Sequence, residues 1–240
     1  MAVDPHRDDP ERERLKAQYA EIASLAGGLA HEIKNPLSTI SLNLELLSEE
    51  LREGDTSRER RMLAKLDLLR RECRHLNDIL TAFLEFTRAG ELDLVESDLN
   101  EQVNDFIEFY QPQAADHGIE ISPHITSDLP PVLLDRALTR QVLLNLALNA
   151  QHAMPEGGLL ELQTSLRKGQ VCLDLIDTGC GMNERTREKM FQAFFSTTRG
   201  GSGLGLPTVR KIIEAHHGTM TCESEPERGT RFTICLPPVG

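Results

Sequence analysis

From Arg12 to Leu51 apolar residues recur at intervals of three and four: Leu15, Tyr19, Ile22, Leu25, Leu29, Ile33, Leu37, Ile40, Leu44, Leu47 and Leu51. That spacing predicts one long amphipathic helix with this set as its packed stripe. The stretch "EGDTSRE" follows, a turn around Gly54 and Asp55 with Ser57 as N-cap of the next element. A second helical pattern runs to Arg88 through Met62, Leu63, Leu66, Leu69, Cys73, Leu76, Ile79, Leu80, Phe83 and Phe86. The two predict an antiparallel hairpin with one adhesive face on each helix. Two helices cannot bury both stripes completely, so the pattern predicts a homodimer whose hairpins form a four-helix bundle.

After Gly90 the periodicity changes. Short β-rich runs such as "GIEIS" and "VCLDLID" alternate with helical patterns over Asn100 to Asp116, Asp135 to Met154 and Leu204 to Ala215. This predicts an α+β domain with helices on one face of a mixed sheet. The expected division is therefore a loose tail at 1–10, the helical hairpin at 11–89 and the α+β domain at 90–240, with a hinge near Ala89 and Gly90.

Composition narrows the possible partners. The 240 residues carry a formal net charge of -12, which repels nucleic acid and anionic lipid, so any phosphate must be held by a local site. Five cysteines, Cys73, Cys172, Cys180, Cys222 and Cys235, are odd in number and never spaced C-x-x-C. That argues against a disulfide framework and a zinc site, and for a reducing cytoplasm. No apolar run approaches the roughly 20 residues that span a bilayer.

In "LAHEIKNPLSTI", His31 lies off the centre of the apolar stripe, where its ring reaches solvent. Asn35 shares its face at i+4, whereas Glu32 projects about 100° away around the helix. Pro36 removes the N–H that would bond the carbonyl of Glu32, so a kink is expected one turn past the histidine. The zinc-protease spacing H-E-x-x-H is absent, since this chain reads H-E-x-x-N.

A second set of motifs lies in the α+β domain. "DTGCG", Asp177 to Gly181, ends an apolar strand and fixes a carboxylate at its terminus; a generic turn would read the same. "GGSGLGLPTVRKII" runs a glycine-rich loop into an amphipathic helix, an arrangement that receives phosphate on free N–H groups, with Pro207 tolerated in the first turn. It lacks the dinucleotide spacing and the surrounding βαβ unit. Asn145 and Asn149 share one helical face, as oxygen donors to a hard cation or as an ordinary solvated face.

Taken in order, H-E-I-K-N-P on a hairpin, N-x-x-x-N-A, D-x-G-x-G, "FQAFFSTT" and G-x-G-L-G-L resemble the sensor histidine kinases of two-component signalling, from the H box through the N, G1, F and G2 boxes. The short "STTRGG" between the phenylalanines and the last glycines is most similar to the nitrogen-regulator type. The resemblance implies a dimeric phosphoacceptor hairpin followed by an α/β sandwich ATP-binding domain, the Bergerat fold. It implies His31 as phosphoacceptor, Glu32 as base, and Asn35 as the residue orienting water for dephosphorylation of the partner. By the same resemblance Asp177 binds the adenine amino group, with Gly179 and Gly181 admitting the base. Asn149 would ligate Mg2+, with Asn145 near the phosphates. Gly201, Gly203, Leu204 and Gly205 belong to the phosphate loop, and Thr197, Thr198 and Arg199 to the lid. The implied cofactors are ATP and Mg2+, and the implied partners a second copy, a response regulator receiver domain and an upstream sensor protein. The rival readings are an ATP-hydrolysing clamp of the same nucleotide fold, disfavoured because Asn145 stands where such relatives carry a glutamate base, and an inactive dimeric scaffold.

Overall fold

The computed structural model describes residues 29, 33–47, 58–89, 92–198 and 201–239. The chain divides into two compact units, Met1–Phe83 and Leu84–Gly240. His31, Glu32, Ser57, Gly90 and Arg199 lie outside the described residues, as does the helix expected before residue 29.

In the first unit, helix α1 covers residues 33–47, and α2, Arg58–Arg88, begins here. The expected stripe of α1 is corrected in part. Leu37 and Leu44 are 48% and 52% exposed, while Pro36, Asn43 and Leu47 are buried. The buried face is thus rotated from the centre of the apolar pattern, and apolar surface remains outside the single chain. Along α1, Ser38 Oγ and Thr39 Oγ1 donate to the carbonyls of Lys34 and Asn35 at 2.8 and 3.3 Å, a local bonding mode open to short hydroxyl side chains.

The second unit opens with the last turn of α2. Phe86 is buried, and Ala89 is wholly buried within the unit's core. Lys211 Nζ donates to the Phe86 carbonyl at 3.2 Å and lies 4.6 Å from the centre of its ring. Gln141 Nε2 donates to Glu85 at 2.7 Å. The two compact units divide inside α2, after Phe83, and Ala89 packs in the core of the second. An alanine followed by glycine reads as a linker only because the sequence does not show what packs on it.

The remaining elements are β1 (Val95–Ser97), α3 (Leu99–Asp116), β2 (Ile119–His124), β3 (Val132–Leu134), α4 (Arg136–Ala153), β4 (Gly158–Arg167), β5 (Gln170–Asp177), α5 (Glu184–Lys189), α6 (Gly205–Ala215), β6 (Thr219–Ser224) and β7 (Thr230–Leu236). Five strands form a mixed sheet in the order β2-β4-β5-β7-β6, with β2 and β4 parallel, and β1 pairs with β3 separately. Period-two alternation sends Leu160, Leu162, Val171, Leu173, Leu175, Phe232 and Ile234 to the face covered by α3, α4 and α6. Phe106 and Tyr110 stack at 5.5 Å in that core, and each fully buried side chain of this size contributes about 1.5–3 kcal/mol. Lys168 and Gly169, both at positive φ, form the two-residue β4–β5 turn and fix Arg167 opposite Gln170.

One expectation about cysteine is overturned. Cys172 and Cys235 are disulfide-bonded, because antiparallel pairing of β5 and β7 sets them directly opposite each other. Residues so far apart in sequence show no spacing motif, so elimination by spacing missed them.

Candidate nucleotide site

Helix α4 positions the first group of functional side chains. Asp135 caps it, accepting from Leu138 N–H at 3.0 Å and from Asp93 N–H at 3.0 Å. Burial raises the Asp135 pKa, but the backbone donors of Asp93, Leu138 and Ala137 outweigh it, so the carboxyl titrates below its ordinary value. The Asp135 N–H donates to His216 Nε2 at 2.9 Å, so the other ring nitrogen donates to the Ile212 carbonyl at 2.8 Å. The start of α4 is thereby tied to the end of α6.

Between α4, the end of β5, the Phe194 turn and the start of α6 lies a cavity of about 450 Å3. That is within the range of small-molecule sites. Of the residues expected from sequence it brings together Asn145, Asn149, Asp177, Gly181, Thr197, Thr198, Gly201, Gly203 and Gly205. Gly179 and Leu204 do not line it. A Cβ on Gly179 would lie 2.6 Å from that of Ala153, so this glycine lets the strand end press against α4. Leu204 is wholly buried at the N-cap of α6. The sequence reading missed Met182, Met190, Phe195, Leu206 and Phe232, which give the cavity apolar walls, and Thr230.

Asp177 is 6% exposed and lines this cavity. Its Oδ1 accepts from the N–H groups of Gly179 at 2.9 Å and Thr230 at 3.2 Å. Both bonds fall on one oxygen, which leaves Oδ2 as an acceptor for a ligand donor. Burial raises its pKa, partly countered by those two N–H groups. Gly181 at φ +62° and Gly229 at φ +82° hold the backbone around it, since a Cβ on Gly229 would come 1.9 Å from the Asp177 carbonyl.

On the opposite wall, Asn145 Oδ1 lies 3.5 Å from where a Cβ on Gly205 would stand, which sets the amide beside the first turn of α6. That helix has no side-chain cap and no acid in its first turn, so its free N–H groups and dipole favour an anion. Asn149 Nδ2 is buried and has no hydrogen-bond partner. Gly203, at φ +67°, packs on the backbone of Phe194 and accepts from its N–H at 3.0 Å. The arrangement pairs a buried acceptor and apolar walls, suited to an amino-bearing planar base, with a phosphate-receptive helix start.

Fold and cavity define a nucleotide-binding unit. Residues 134–240 match the family described as histidine kinase-, DNA gyrase B-, and HSP90-like ATPase, and residues 22–92 match the His Kinase A (phospho-acceptor) domain. The chain belongs to the sensor histidine kinases of two-component systems. It is 30% identical to the signal transduction histidine-protein kinase AtoS of Escherichia coli K12, over 96% of this chain and 37% of AtoS. It is 34% identical to the sensor histidine kinase ZraS of Klebsiella oxytoca, over 92% of this chain and 47% of ZraS. The chain thus spans less than half the length of either relative. Among solved structures, full-length ShkA in complex with AMPPNP aligns with TM-score 0.64 and 32% identity over 90% of this chain and 46% of that one. Histidine kinase ThkA in complex with the response regulator protein TrrA aligns with TM-score 0.74 and 25% identity over all of this chain and 68% of that one. Among the described residues no helix is long and apolar enough to cross a membrane.

Proposed function

We propose that this chain transfers the γ-phosphoryl group of ATP to His31 and then to an aspartate of a response regulator. The carrying observation is the cavity in which a buried carboxylate acceptor, Asp177, stands across from the free start of α6, within a chain that also bears the H-E-I-K-N-P segment. A ring nitrogen of His31 attacks the γ-phosphorus, the bond to the bridging oxygen of ADP breaks, and the ring proton passes to Glu32. The acceptor aspartate then forms its P–O bond as the P–N bond breaks. Positioning and charge stabilisation supply most of the rate in such transfers.

Asp177 Oδ2 accepts from the adenine amino group, and the α6 start receives phosphate. Lid residues Thr197, Thr198 and Arg199 close over it. Mg2+ would be held by the carbonyl oxygen of Asn149 with phosphate oxygens; the cavity's amide and hydroxyl oxygens suit a hard cation that keeps most of its ligands from phosphate and water. The bound cation would neutralise charge developing on the phosphates. Asn35, exposed on α1, orients water for removing phosphate from the regulator. The chain acts as a cytoplasmic homodimer through its hairpin, taking its signal from an upstream sensor protein. The TrrA complex of ThkA supports the regulator as partner.

Incubation with γ-labelled ATP tests this reading. Acid-labile, alkali-stable label on the protein, lost in His31→Gln, is the expected result; free phosphate alone would indicate the clamp, and absence of ATP binding the scaffold. Asn35→Ala should keep autophosphorylation and lose dephosphorylation of the regulator. Equal loss of both would assign Asn35 a structural role.

A further inference from the structure

The sheet has a second face, opposite the helices, that serves no part of the cavity. There β4 presents Gln163, Ser165 and Arg167, β5 presents Asp174 and Cys172, and β7 presents Thr233 and Cys235. The disulfide joins Cys172, wholly buried, to Cys235, half-buried, with Cα atoms 4.1 Å apart.

Burial on this side needs a cover, and Arg167 supplies one. It stands opposite Gln170, yet its guanidinium pairs with Asp174, which stands opposite Gln163. To reach that far its side chain must run diagonally across the Ser165–Cys172 pair. The Asp174 side chain is 1% exposed and that of Arg167 45%, as expected of a lid over a carboxylate. Burial pushes the Asp174 pKa up, but the bonds from Arg167 and from Thr233 Oγ1 at 2.7 Å outweigh it and hold the group ionised. Ser165, directly opposite Cys172, has a buried hydroxyl oxygen with no partner.

We propose that Cys172–Cys235 is a reversible thiol–disulfide exchange site for small solution thiols, in which attack falls on the Cys235 sulfur and Cys172 is the leaving group. Cys172 is wholly buried and Cys235 half-buried, so the approach from solvent is on the Cys235 side. The incoming thiolate bonds to Cys235 Sγ, the S–S bond breaks, and its electron pair stays on Cys172 Sγ, which takes a proton from water. A second thiol displaces Cys235 from the mixed disulfide. In sum, two small thiols are oxidised to one disulfide while the protein gains two thiols. The departing Cys172 sulfur is buried, which favours the protonated thiol over the thiolate. The new Cys172 thiol then faces the orphaned hydroxyl of Ser165, so reduction gives a buried polar group the partner it lacks.

The exchange bears on the nucleotide site through chain connectivity. The two cysteines are 63 residues apart, and the loop they close contains Asp177, Gly181, the lid, Gly203, Gly205 and all of α6. Oxidised, this segment is a closed covalent loop; reduced, it is held by the β5–β7 ladder and by packing, without the covalent tie.

The oxidised protein is treated with limiting glutathione, quenched with acid and mapped by mass spectrometry. The expected adduct is on Cys235, in about tenfold or greater excess over Cys172, as burial of one sulfur requires. The nucleotide-bearing unit should melt several degrees lower after reduction, and the Cys172→Ser/Cys235→Ser protein should melt alike in both buffers. Adduct on Cys172 in equal or greater amount, or failure of the bond to form in oxidising glutathione buffer, overturns the proposal. The mapping uses the unaltered chain, so a poorly folding variant does not obscure it.

Discussion

The two units differ in how far one chain can satisfy them. The second, Leu84–Gly240, closes its own core: α3, α4 and α6 cover one face of the sheet, and even the last turn of α2 is drawn in through Phe86 and Ala89. The first leaves Leu37, Leu42, Leu66 and Leu80 about half exposed on helices with little else to bury. Apolar surface of that kind on a hairpin marks an interface still to be filled. One unit is complete as a monomer; the other leaves apolar surface uncovered, as the proposed dimer requires.

The sharpest way to break this contrast is to damage the self-sufficient unit alone. Gly181→Ala places a Cβ 2.0 Å from the Glu225 carbonyl oxygen at φ +62°. It should cost about 2–4 kcal/mol and lower the melting temperature of that unit by roughly 5–15 °C, while helical content assigned to the hairpin is unchanged. Calorimetry that shows both units melting together at the lower temperature would remove the contrast. Next in size is the converse. Leu42→Glu with Leu80→Glu should weaken self-association by about 100-fold, measured by sedimentation, with ATP binding retained. A wild-type chain that sediments as a monomer at micromolar concentration would refute the dimer outright.

The smallest effect on stability is expected at Asp177, although ATP binding there should be lost. Its folded pKa is raised by burial, so ionisation opposes folding. The contribution to stability is present at low pH and is lost as pH rises through the raised value. Asp177→Asn keeps an oxygen for Gly179 and Thr230 and removes that charge. The free protein should melt at or slightly above the wild-type temperature at pH 7, within about 1 kcal/mol, with a flatter pH profile. A fall of several degrees would show that the carboxylate is structural.

These differences also explain what the sequence discloses. Asp177, Asn145 and Gly203 announce themselves because their chemistry depends on neighbours close in the chain: a strand end, one helical face, one tight turn. Helix limits are legible for the same reason: α3, α4 and α6 lie within a residue of their expected positions, whereas the short α5, Glu184–Lys189, has no counterpart among the expected elements. Properties set by pairing at a distance are not. The Cys172–Cys235 bond depends on β5–β7 register, the anchoring of Phe86 on Lys211 and its helix, and the face of α1 that packs on which partner it meets. Gly179 is intermediate: its motif is local, but the reason for a missing side chain is Ala153, a turn of α4 away in space.

The capture of Glu85 and Phe86 by α4 and α6 matters to anyone exchanging modules between such proteins. A graft joined at Gly90 would bring a foreign final helical turn into a pocket shaped for this one, leaving Lys211 without the ring beneath its ammonium and a hydrophobic hole where the phenyl group belongs. Splices made upstream of Leu84 would carry the plug along with its socket.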